Sequence, residues 1–252
     1  MIIALLALTT VAAAIRGLWS PCGLSMLSAL NPIAERARGH RFWVTALWYL
    51  AGAIAGGAVL GAGLAGGAWL VGLASWPAAL TWSVALAGAA VAVASDLRLG
   101  GWQLPDHPRQ VDERWLTTYR RWIYAGGFGV QIGAGFATYV MTAGVYLVAA
   151  LAGLTASPWV AFGAGVLFGA VRGSSIVLAG WAQTPARLSA LMARVDALTG
   201  ASIALAVGAS LAVAAVAGWA LAGPAGGVGT AVLLAAVTAY ATRAGRRAAT
   251  TS

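Results

Sequence analysis

The sequence predicts an all-α integral membrane protein. It reads as a single domain of about seven transmembrane helices, two inverted three-helix repeats with broken first helices plus one extra C-terminal helix. Three observations carry this reading. Hydrophobic residues make up 61% of the 252 and charged residues 8%, where a soluble domain carries about 25% charged. Apolar runs of membrane length alternate with short charged segments. Two of those runs are too long and too interrupted to be single straight spans.

The runs follow in order. The first covers residues 2–32 and is interrupted by Arg16 and Pro21. The second and third cover 43–65 and 77–95, and the fourth, again long, covers 123–152. The fifth, sixth and seventh cover 157–181, 199–222 and 225–242. Residues 1–95 then form the first repeat, 96–122 a cytoplasmic loop, 123–222 the second repeat, and 223–252 the extra helix and basic tail. The opening MIIALLALTTVAAAI has the apolar core of a signal peptide without its positive start, so it is expected to stay as the first helix. ARLSALMARVDAL, residues 186–198, places Leu188, Leu191, Val195 and Leu198 on one helical stripe. It reads as a short interfacial helix or as an extension of the sixth span.

Charge sets the orientation. All basic residues other than the two histidines are arginine, and they cluster in every second connection: 36–41, 98–121, 187–194 and 243–247. The intervening connections near 66–76, 153–156 and 223–224 carry no charge. Cytoplasmic loops hold the excess of basic residues, which places the N-terminus outside and the C-terminus in the cytoplasm of a bacterial cytoplasmic membrane. The net charge of +9 is explained by this arrangement, and no nucleic-acid partner is expected. The absence of lysine excludes Schiff-base chemistry on lysine.

The first and fourth runs would each reach about 45 Å as straight helix, against a hydrocarbon core about 30 Å thick. The first contains RGLWSPCGLS with Pro21, the fourth GGFGVQIGAGF with Gly129, Gly133 and Gly135. These four residues are the expected helix breaks, since proline removes a helix hydrogen bond and glycine weakens the helix. Interrupted helices at matching places in inverted halves point to a midplane binding site. The second run carries Gly52, Gly56, Gly57, Gly61, Gly63 and Gly67, a pattern for close packing in the bundle or for a homodimer.

Arg16 and Arg172 are the ionisable residues well inside the runs, and no acidic partner for them is visible there. A buried arginine costs at least about 2.5–3.5 kcal/mol on insertion scales, so each must find carbonyls, water or an anion. Ser174 and Ser175 follow Arg172 and are expected to add donors to the same cavity, with Gln131 as a further polar group. These five residues are the expected substrate-binding set. Cys22 is the single cysteine, so no intramolecular disulfide or cysteine metal cluster forms within one chain. Asp106, His107, Asp112 and Glu113 match no standard metal spacing; no metal and no cofactor is expected.

The broken first helix with Ser20-Pro21-Cys22, the basic turn, the Gly-rich second run and the second broken run resemble the cytochrome c biogenesis transmembrane proteins, the family of the DsbD membrane domain. LysE-type exporters share that inverted architecture. The resemblance implies a thiol relay with one cysteine in each broken helix and a thioredoxin-like partner. Cys22 matches the first cysteine; residues 123–152 contain none, and Ser25 stands where the family usually has proline.

Two readings follow. The first is a polytopic membrane transport protein, not an enzyme, moving a small solute, an anionic one by preference, through a midplane site. The alternative is a thiol:disulfide relay in which Cys22 is the catalytic residue, or a membrane subunit that only docks another protein. The missing second cysteine favours transport.

Overall fold

The computed structural model describes residues 1–74, 76–105, 114–135 and 142–249. The described residues are helical, turn or irregular, with no strand. Five helical stretches are long and apolar enough to cross a membrane: Ile2–Trp19, Phe42–Leu73, Ala78–Asp96, Pro158–Ala179 and Thr199–Thr230.

The first run divides into α1 (Ile2–Arg16), a tight turn at Gly17–Trp19 and α2 (Pro21–Ala29). A short α3 (Pro32–Ala37) leads to α4 (Phe42–Leu73) and α5 (Ala78–Asp96). The fourth run divides likewise. A single turn, α6 (Trp115–Thr118), precedes α7 (Arg121–Gly133), and the chain resumes as α8 (Gly144–Leu154). Next come α9 (Pro158–Ser174), α10 (Ile176–Ala179), α11 (Pro185–Ala197) and α12 (Thr199–Ala249). The order of one broken helix and two long ones therefore occurs twice. At about 1.5 Å per residue, none of α1, α7 or α8 alone covers a core about 30 Å thick.

Proline marks where helices begin. Ser20-Pro21, Asn31-Pro32, Ser157-Pro158 and Thr184-Pro185 each place an extended polar residue at the N-cap and proline in the first turn. Proline is suited there because its missing N–H has no helical partner to lose. Asn31 accepts from the amides of Ile33 and Ala34 at 3.0 Å. The segment 186–198 is thus a separate helix, α11, ended at Leu198 before α12 starts. Within α12 the chain leaves helical geometry at Ala222 and Gly223 (φ +68°) and turns back on itself. Gly226 then lies against Gly218, and Gly227 against Trp219. The reversal falls between the sixth and seventh apolar runs.

Helix α4 is the spine. It packs most extensively on α9 and α7. Gly52 and Gly56 sit against the carbonyls of Gly126 and Val130, so α4 and α7 run parallel. Gly57 meets Gly165 and Gly169 while Gly61 meets Phe162, so α4 and α9 run antiparallel. The contact glycines leave backbones touching; Gly63, Gly66 and Gly67 face open space. Helix α5 pairs with α12.

Two hydrophobic clusters occupy the two ends. One joins α1, α5, α8, α9 and α12 through Leu6, Ala13, Ala89, Leu147, Leu151 and Phe168. The other joins α2, α4, α7 and α10 through Cys22, Leu27, Tyr49, Phe128, Ile132 and Ile176. Both helix breaks lie where the clusters meet.

Gly56→Val is expected to lower stability by about 1–3 kcal/mol or more, because the Val130 carbonyl cannot retreat without moving α7. Gly63→Val, on the open face of the same helix, should leave the melting temperature in detergent nearly unchanged. Equal losses at both positions would contradict this assignment of the packed face.

Candidate functional site at the two helix breaks

The first break is organised by one hydroxyl. Ser20 is extended (φ −67°, ψ 151°). Its Oγ donates to the Gly17 carbonyl at 2.7 Å and accepts from the Gly23 amide at 3.1 Å. It also accepts from Arg172 Nη2 at 3.3 Å. Pro21 is therefore the first residue of α2 and interrupts no helix; the break is at Ser20.

Arg172 reaches this point from α9 and is 4% exposed. Its guanidinium stands 5.8 Å from the Phe168 ring centre. Its Nε is pressed against Gly17, where a Cβ would lie 2.9 Å away. That Nε–H is buried and has no hydrogen-bond partner among the described residues. Tyr49 is in polar contact with Ser175 and feels the Arg172 charge. Cys22, 1% exposed, also lies near enough to act on Arg172 electrostatically.

The second break has a different chemistry. Helix α7 ends at Gly133, and Gly135 takes φ +69°, a left-handed conformation that glycine adopts without cost. At the start of α8, Thr142 Oγ1 accepts from the Gly144 amide at 3.0 Å. Asp96, at the end of α5, takes the Thr142 hydroxyl hydrogen on Oδ2 and the Ala143 amide hydrogen on Oδ1, the latter at 2.7 Å. A carboxylate at a helix N-terminus satisfies unpaired N–H groups and favours the positive end of the helix dipole.

The structure places the expected site residues as follows. Arg16 and Arg172 flank the same turn but engage different partners. Arg16 Nη1 donates to Ser202 Oγ on α12 at 3.0 Å and interacts electrostatically with Asp96. The two do not share one ligand set among the described residues, and Arg16 has an acidic neighbour that the sequence reading lacked. Ser175 donates to the Arg172 carbonyl at 2.7 Å. Ser174 is exposed and donates to Val171 of its own helix, so it does not join the cluster. Gln131 is half-buried on α7, with no hydrogen bond to either arginine among the described residues. Gly129 lies inside α7 and opens no helix, whereas Gly133 is its last residue; a Cβ on either would strike the backbone of α4. Asp106, His107, Asp112 and Glu113 lie outside the described residues, and those described include no group of three metal-ligating side chains.

Sequence reasoning also missed Glu35. It is fully buried, accepting from Arg38 Nη1 at 2.8 Å, from the Tyr124 hydroxyl at 3.1 Å and from the Thr45 hydroxyl. It ties α3 to α4 and α7 by accepting from all three.

Comparison with known proteins gives three relatives of one description. The chain is 31% identical to the methylamine utilization protein MauF of Paracoccus versutus over 162 residues, 60% of this chain and 55% of the relative. It is 28% identical to the protein of that name from Paracoccus denitrificans over 145 residues, 57% of this chain and 52% of the relative. It is 32% identical to that of Methylorubrum extorquens over 147 residues, 55% of this chain and 49% of the relative. The chain thus spans about half the length of the curated relatives it matches. No protein-family model and no solved structure matches it.

If Ser20 couples the break to Arg172, a double-mutant cycle will register it. Ser20→Ala alone should cost about 1–2 kcal/mol, the usual worth of a helix cap. Combined with Arg172→Gln, the two losses should fall short of additive by at least about 0.5 kcal/mol in detergent unfolding. Strict additivity would mean that the hydrogen bond contributes nothing.

Proposed function

We propose that this chain is a membrane accessory protein of amine utilisation that moves a small solute, an anionic one by preference, past the arginine-lined helix breaks. The observation that carries the reading is the buried Arg172 Nε–H, which has no partner among the described residues. Burying a charged donor unsatisfied costs about 1–3 kcal/mol or more, a cost that an anion or carbonyl oxygen would offset. Ser20, whose hydroxyl already holds Arg172 Nη2, and Tyr49 lie at the same junction. The amine-utilisation setting rests on the printed name of the three relatives. In this reading the arginine-rich end, 36–41 and 187–194, faces the cytoplasm.

A second reading rests on Cys22. Its place one residue after the helix-capping Ser20-Pro21, beside Arg172, fits a thiol relay of the cytochrome c biogenesis type with a thioredoxin-like partner. Its 1% exposure weighs against that reading, because a mixed disulfide requires the partner's sulfur to reach it.

Binding tests the first reading directly. Purified protein in detergent is titrated with a panel of small probes: acetate, formate, inorganic phosphate and sulfate. At least one should raise the melting temperature of the wild type, and Arg172→Gln should lose that shift while keeping its helical content. If no probe separates the two proteins, the anion site is wrong. If instead a cellular protein is trapped on the wild type and lost with Cys22→Ser, the thiol relay takes its place.

Orientation has its own test. Single cysteines at Gly66 and Gly100, introduced on a Cys22→Ser background, should label from opposite sides of the membrane. Labelling from one side would overturn the span order.

A further inference from the structure

We infer that the arginine-rich end of the bundle holds an anionic phospholipid in the cleft between α10 and α11. The cleft has a volume of about 600 Å³ and is lined in part by Leu178, Trp181, Arg187, Leu191, Arg194 and Leu198. Arg187 and Arg194 are seven residues apart on α11, close to two helical turns, so they project from one face. Below them the surface is apolar and outward-facing: Trp181 is 77% exposed, Leu198 54% and Leu178 42%. A phosphodiester headgroup with hydrocarbon tails matches that division, because guanidinium groups bind phosphate bidentately while tails need the apolar strip.

The cleft continues round the bundle. Trp43, Gly180, Trp181 and Gln183 join it to a second hollow of about 490 Å³ lined by Arg36, His40, Arg41 and Trp43. Neither lining contains an acidic residue. Among the described residues none of Arg36, Arg41, Arg187 and Arg194 forms an ion pair; the ion pair recorded there is Arg38 with Glu35. Four guanidiniums without an ion pair among the described residues, beside exposed tryptophans at the ends of membrane-length helices, favour anionic lipid over a free anion, which has no use for the apolar strip. They also favour it over a protein, because bilayer lipid already surrounds these helices.

The cleft is held at a fixed level. Trp19, just beyond α1, donates Nε1–H to the Val195 carbonyl of α11 at 2.8 Å, and Thr184 caps the helix through the Arg187 amide at 3.3 Å. Helix α11 is therefore tied to the turn after α1. The lipid contacts use neither Ser20 nor Arg172 and stand apart from the solute-binding reading.

The test uses the full chain in detergent, with phosphatidylglycerol and phosphatidylcholine of identical acyl chains, read by native mass spectrometry. At about 1 kcal/mol per basic residue near a headgroup, phosphatidylglycerol should bind at least about tenfold better, and Arg187→Gln with Arg194→Gln should remove that preference. Millimolar inorganic phosphate should not displace the lipid. Brominated-chain phosphatidylglycerol should also quench tryptophan fluorescence more than brominated phosphatidylcholine, and Trp181→Phe should lose most of that difference. This readout does not depend on folding of the double variant. Equal binding or equal quenching by the two lipids would overturn the proposal, as would an unchanged preference in the double variant. Displacement by phosphate alone would instead make the cleft a free-anion site.

Discussion

A helix that stops inside a bilayer leaves amide and carbonyl groups without partners in a medium that offers none, and this constraint organises the rest of the protein. Each unsatisfied group costs several kcal/mol in hydrocarbon. The chain stops twice, at Ser20 and after Gly133, and each stop is closed by a hydroxyl next to the break. Ser20 takes the Gly23 amide and Thr142 takes the Gly144 amide. A charged side chain from a distant helix then completes each closure: Arg172 of α9 on Ser20, Asp96 of α5 on Thr142 and Ala143. Each break is thus braced by the other half of the chain.

The signs of those charges follow from helix ends. Asp96 meets the N-terminus of α8, the positive end of a helix dipole. Arg16 closes the last turn of α1, and Arg172 rests against Gly17 just beyond it, at a negative end. Only a residue without a side chain at position 17 lets the guanidinium approach so closely. The same economy holds along α4, where Gly52, Gly56, Gly57 and Gly61 bring α7 and α9 into backbone contact. That contact fixes α9, and through it the position of Arg172. A bundle with larger residues on α4 would carry the arginine away from Ser20.

Much of this was legible in the sequence because it depends on local chemistry. Two overlong apolar runs implied two broken helices, and Arg16 and Arg172 stood out against their surroundings. What escaped depends on tertiary burial. Asp96 falls just past the 77–95 run, two residues before Arg98, and Glu35 lies between Pro32 and three arginines, both in connections that the sequence assigns to the loops. Only the fold turns them inward. Pro21 was read as a breaker when the Ser-Pro pair is a cap and a first turn, and Asn31-Pro32 and Thr184-Pro185 repeat the signal. Gly129 was read as a weak point in a helix, yet α7 runs through it. Alone a glycine is that; opposite the glycines of a neighbouring helix it is a contact surface.

The single thiol of the chain lies beside a buried charge. Cys22 and the Arg172 Nε–H sit within one junction, both buried and both behind the Ser20 cap. In the proposed thiol reading a partner would have to displace α2 at Ser20 to reach Cys22, and in the proposed anion reading the same turn would have to loosen. The two readings thus act on one turn, and what distinguishes them is the entrant. An anion replaces the hydrogen bond that Arg172 gives up, so its arrival favours the loosened state. A thiol leaves the guanidinium unsatisfied in a low-dielectric interior, and the opened junction must then bear that cost. The electrostatics of the junction thus support the proposed anion reading over the thiol one.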